Sequence, residues 1–214
     1  MAAPTIKTAA AAPPELCTLP RGRHGLPRDF VEENQRTRTI AGTIEAVAKR
    51  GYAATTVGDC VEAARVSRKT FYHLFAGKEE CFTAAYEAGI GEIRRRFVAE
   101  FDANRGWEEA IEAALASVLG FLAENPHVAR ATMVEVLSST PELAARHHAT
   151  IAGLAPYLTR DREAALTEEV IVAGIFALIS QRILAGHTET LPHLLPELVG
   201  LVRAPYRQTP TLNG

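Results

Sequence analysis

Two helix starts eleven residues apart constrain this chain more than any other feature. Thr56 caps one short helix, with Asp59 three residues on as its capping-box partner and Val57, Val61 and Ala64 as its inner face. Ser67 caps the next, where Val66 and Phe71 hold the two positions of a hydrophobic staple. Only Arg65-Val66 lies between them, so both elements are short and the turn joining them is tight.

The second of these helices divides cleanly. Phe71, Leu74 and Phe75 share one face, whereas Arg68, Lys69, Tyr72 and His73 occupy the opposite one. One side is an aromatic anchor and the other is cationic and rich in donors, the division expected of a helix-turn-helix unit. Upstream, Ile40, Ile44, Val47 and Ala48 form the apolar stripe of a preceding helix that ends at Gly51. Downstream of Ala76-Gly77, Phe82, Tyr86, Ile90, Ile93, Phe97 and Phe101 stripe a long helix whose first turn carries Glu79 and Glu80.

Charge is distributed to match. The net charge of −2 hides a basic stretch from Arg21 to Lys78, with eleven Lys/Arg against six Asp/Glu, on an acidic remainder. A local basic footprint suits phosphate. Residues 1–20, rich in Ala and Pro, read as a disordered tail, and Arg21-Gly22-Arg23-His24-Gly25 as a basic linker or arm. The N-terminus lacks a signal-peptide layout, and the longest apolar run, Val170 to Ile179, falls short of the ~20 residues of a membrane span. The protein is therefore expected to be cytoplasmic, with Cys17, Cys60 and Cys81 as reduced thiols.

No segment alternates as a half-buried strand would, so the chain is expected to be all-α. Five further helices are anticipated: Trp107 to about Glu124, one starting at Asn125-Pro126, one at Thr140-Pro141, one from about Arg162 to Ala185, and one from about Leu191 to Val202. Pro192 and Pro196 blur the start of the last. The run Val170–Ile179 is apolar around its whole circumference. With the Leu-rich last helix it suggests a two-fold bundle between two copies, with Ile171, Ile175, Phe176, Ile179, Leu194, Leu198 and Leu201 at the interface; a fully internal core helix is the alternative.

The run from Thr56 to Glu80, with its Val-Ser-x-x-Thr-Phe-Tyr-x-x-Phe core followed by Gly-Lys-Glu-Glu, resembles the DNA-binding signature of TetR-type regulators. The likeness is good over roughly residues 36–82 and architectural beyond. It implies a three-helix helix-turn-helix domain (28–77) after the tail and arm (1–27), joined by a long helix to a ligand-binding and dimerisation domain (78–205), with a flexible end (206–214). The resemblance sets Arg68, Lys69, Thr70 and His73 at base edges and Thr56, Tyr72 and Lys78 on phosphates, with Ser67 at the helix start. It also implies a homodimer, a pseudo-palindromic double-stranded operator, repression, and release by a small-molecule effector. Pocket candidates are Phe97, Phe101, Trp107, Phe121, Met133, Glu135, His147, Tyr157 and Gln181, a mixture suggesting a mainly hydrophobic effector. One departure is Arg65, where such proteins usually carry Gly in the turn.

Other classes have less to stand on. No Gly-rich phosphate loop, Gly-x-Ser-x-Gly or His-Glu-x-x-His occurs, so no catalytic residue or cofactor is expected. The adjacent His147 and His148 diverge by ~100° on a helix and are poorly placed to share a metal. The alternatives are a helical interaction dimer that does not touch DNA and, behind it, a small-molecule-binding enzyme.

Overall fold

The computed structural model describes residues 27–101, 106–160 and 166–206. The tail, the basic arm, Cys17 and the first residues of the anticipated 162–185 helix lie outside them. The described residues form nine α-helices and four 3-10 segments, with no strand among them.

Three helices build the N-terminal unit: α1 (Arg28–Arg50), α2 (Val57–Ala64) and α3 (Arg68–Leu74). The expected box is present: Thr56 Oγ1 accepts from the Asp59 amide, and Asp59 accepts from the Thr56 amide at 2.8 Å. Ser67 Oγ accepts from the Thr70 amide at 3.0 Å. Phe71 and Phe75 bury with Ala46, Cys60 and Cys81 in a small core of their own. Burial there pushes the Cys81 thiol up to about 12, which leaves it protonated and unreactive.

The connector α4 (Lys78–Ala99) runs ~33 Å at the rise of an α-helix. Around it fold α5 (Trp107–Glu124), α6 (Pro126–Met133), α7 (Pro141–Ala152), α8 (Leu166–Leu184) and α9 (Leu195–Arg203). Thr140 caps α7 as expected, accepting from the Leu143 amide. Asn125 does not cap α6. Its side-chain amide donates instead to Phe121 O at 2.8 Å, closing the end of α5, while Pro126 alone starts the next helix. Residues Thr188–Leu194, which include Pro192, are 3-10, and α9 begins only at Leu195 with Pro196 in its first turn. The missing proline N–H groups account for that late start, because Pro is tolerated only where the amide has no intrahelical partner.

The larger core does not stop at the junction of the two units. Ile44, Val47 and Tyr52 from the first pack in one cluster with Phe82, Tyr86, Met133 and Val136. Helix α1 thus serves both cores, one through α2 and α3 and the other through α4 and α6. No helix among the described residues is long and apolar enough to cross a membrane.

Candidate nucleic-acid interface and internal cavity

The tight turn between α2 and α3 is held from three sides. Arg65 sits at φ 52°, ψ 43°, the left-handed conformation in which Gly is the unstrained choice. The Arg38 guanidinium reaches over from α1 and donates to Ala64 O at 2.9 Å and Arg65 O at 2.8 Å, satisfying carbonyls that the end of α2 leaves open. Gly42 lets α1 approach closely, since a Cβ there would stand 2.4 Å from the Ala64 nitrogen. Neither Arg38 nor Gly42 carries a sequence signal of its own, because both contacts depend on how α1 crosses α2.

This frame presents the outer face of α3. Phe71 is fully buried, and Arg68, Lys69, Tyr72 and His73 are exposed on the other side, Tyr72 by 57 %. The Arg68 guanidinium lies by Gly58 at the start of α2. His73 Nε2 faces Glu32 at 3.8 Å, a solvent-screened pair. Thr70 is half-buried and hydrogen-bonded to Ser67, and Thr56 is engaged in its capping box. Lys69 Nζ and the Tyr72 hydroxyl have no partner among the described residues. Lys78, by contrast, donates to Tyr52 O at 2.8 Å and lies 4.2 Å above the Tyr52 ring, tying the start of α4 to the loop after α1.

Inside the C-terminal lobe lies a cavity of about 50 Å³ bounded by α4 through α9. Its lining is aliphatic and aromatic apart from Arg94 and Thr150. Of the nine anticipated pocket residues, Phe97 and Met133 line it. Phe101 and Tyr157 do not line it but pack on Phe97, with ring centroids 5.3 and 5.8 Å away. Trp107 donates to Tyr157 O at 3.3 Å and stacks edge-on with Tyr206. Phe121 lies under Arg96. His147 is buried beside the cavity, its Nδ1 3.2 Å from the Tyr86 hydroxyl. Burial holds it neutral and lowers its pKa to about 4. Gln181 is exposed on α8, away from the cavity. Glu135 faces the helix-turn-helix unit instead, accepting from the Tyr52 amide at 2.9 Å.

The apolar circumference of α8 is divided between inside and outside. Ile171, Ile175 and Ile179 are buried in their own chain, as is Leu198 on α9, and Phe176 lines the cavity. Leu194 is half-buried and Leu201 is 38 % exposed. The face left open on α8 carries Leu166, Val170, Leu178 and Leu184 with Ala173 and Ala177. Periodicity cannot separate these sides over Val170–Ile179, because every position of that run is apolar. Among the described residues no cluster of His, Cys, Asp or Glu could hold a metal.

These features define an all-α helix-turn-helix protein with a hollow helical lobe. Residues 40–85 match the family model described as bacterial regulatory proteins, tetR family. Among solved structures, the fatty acid degradation regulator FadR from Bacillus halodurans superposes with a TM-score of 0.71 at 18 % identity, covering 82 % of this chain and 97 % of that one. FadR from Bacillus subtilis in complex with stearoyl-CoA gives 0.67 at 17 %, covering 77 % and 96 %. A TetR-like regulator from Rhodococcus sp. RHA1 gives 0.64 at 18 %, covering 86 % and 100 %. No curated protein matches the chain. The helix-turn-helix thus matches the tetR family model over residues 40–85, and the chain as a whole shares the fold of these solved regulators.

Proposed function

We propose that this protein is a homodimeric repressor that binds a pseudo-palindromic DNA operator and is released by a small, mainly hydrophobic effector. The observation that carries the reading is the outer face of α3, where Lys69 and Tyr72 stand exposed and uncommitted on a helix locked from behind by Phe71 and Phe75. Arg68, Lys69, Thr70 and His73 would read base edges. Ser67, Thr56 and Tyr72 would lie along phosphates, with the remaining donors of Lys78. Residues 28–77 form the reading unit, and residues 78–205 the effector and dimer unit.

Two copies would meet through the open faces of α8 and α9, around Val170, Leu178 and Leu201, giving the paired recognition helices that a two-fold site requires. The effector would occupy the cavity, and the similarity to Bacillus subtilis FadR, whose structure is a complex with stearoyl-CoA, supports a small-molecule ligand. At about 50 Å³ the space is far below the ~300 Å³ of a small ligand site. Entry must therefore push the walls apart. Met133 is one of those walls, and two residues on, Glu135 holds the Tyr52 amide while Lys78 holds the Tyr52 carbonyl. Displacing Met133 would thus move the junction that sets the angle of the reading unit, favouring whichever conformation accommodates the ligand. The test is release of operator DNA by a bound ligand, which a Glu135→Ala variant should uncouple from ligand binding.

A further inference from the structure

We infer that Arg38 on α1 is a positioning residue for the reading helix, and that the chain depends on it because Arg65 stands where glycine would be unstrained. The inference rests on the DNA-binding reading above and names a residue that acts on the reading face without touching DNA. Helix α2 ends in a Schellman turn, in which the Arg65 amide donates to Glu62 O and the Val66 amide to Val61 O, each at 3.1 Å. The motif holds Arg65 itself at φ 52°, where a Cβ crowds the neighbouring carbonyl. Those two bonds leave the carbonyls of Ala64 and Arg65 unused, and both are taken by Nη2 of Arg38.

This contact has leverage on α3. The Arg65 carbonyl lies two residues before Ser67, the cap of that helix, so fixing it fixes the direction in which α3 leaves the turn. Arg38 reaches it because Gly42, one turn further along α1, lets α1 and α2 approach closely. The half-buried guanidinium is thereby turned onto backbone, and the Arg65 side chain lines the groove between α1 and α2. Strain at Arg65 lowers the fraction of molecules whose turn is closed, and the charge-assisted bonds from Arg38 raise it again. Apparent affinity for DNA scales with that fraction.

The test uses the full chain, the duplex it enriches from random DNA, and a scrambled duplex of the same composition. Binding is measured across a salt titration at a temperature where thermal denaturation shows every variant folded. Arg38→Gln should weaken binding to the enriched duplex about tenfold. The scrambled duplex should change by less than about twofold, and the salt slope should stay the same, because no phosphate contact is lost. Arg65→Gly should change little in the parent yet recover about fivefold in the Arg38→Gln background, since the strain matters once the clamp is gone. Amide exchange at Thr70 and Phe71 should follow the same order, faster in Arg38→Gln and slowed again in the double variant. A salt slope shallower by about one makes Arg38 a phosphate contact and overturns the inference. Equal loss on both duplexes, or a double variant that binds and exchanges like Arg38→Gln alone, overturns it as well. A parent protein that enriches no motif overturns the regulator reading instead, and the exchange rates then decide the clamp on their own.

Discussion

The Glu135 carboxylate accepts the Tyr52 backbone N–H at 2.9 Å, across the junction between the helix-turn-helix unit and the C-terminal lobe. Glu135 is only 6 % exposed, and Arg130 bonds its other oxygen at 3.2 Å. Gly51, at φ 81°, brings the loop to this carboxylate, and a Cβ there would lie 3.3 Å from Oε2.

Glu135→Ala leaves a buried amide without an acceptor, which costs about 1–3 kcal/mol. The melting temperature should fall by several degrees. Glu135→Gln should recover part of the loss, since its amide oxygen can still accept from Tyr52. Thermal denaturation of the three proteins decides it.

Two glycines predict opposite outcomes. Gly42→Ala forces a methyl into the Ala64 backbone and should destabilise by about 2–3 kcal/mol, shifting α2 and weakening DNA binding. Gly91, in the middle of α4 with open space around it, should gain about 0.5–1 kcal/mol as Ala. Denaturant titration reads both.

The caps of α2 and α3 were legible because Thr56, Asp59 and Ser67 act locally, and so was the inward face of α3. The contacts that join distant elements were not. Arg38 looks like any charged residue on α1 until the crossing angle puts it over Ala64 O. Glu135 read as a polar pocket residue, because nothing local says that its segment turns from Met133 in the cavity wall toward Tyr52. On α8 the apolar run announced burial without saying which side belongs to the chain itself.

His147 should make stability fall in acid. Burial, with a smaller contribution from neighbouring His148, lowers its pKa from 6.5 to about 4. The folded state therefore binds fewer protons than the unfolded chain between those values, and stability present above pH 6.5 is lost as the pH falls toward 4. The full effect is roughly 3 kcal/mol. His147→Gln should flatten this part of the stability profile by about one proton.

The open α8 face should govern assembly. Val170 and Leu178 are 61 % and 41 % exposed, so a Val170→Glu/Leu178→Glu variant should fold and sediment as a monomer. Ile175→Glu, at a position 6 % exposed, should fail to fold instead.

The most direct test of the central claim is DNA binding by the purified protein across a salt titration, on a motif selected from random duplexes, beside a Lys69→Ala/Tyr72→Ala variant. The account predicts a pseudo-palindromic motif, affinity that falls steeply with salt, and loss of binding in a variant that stays folded. A selection that enriches no motif, or a variant that binds as tightly as the parent, would contradict it.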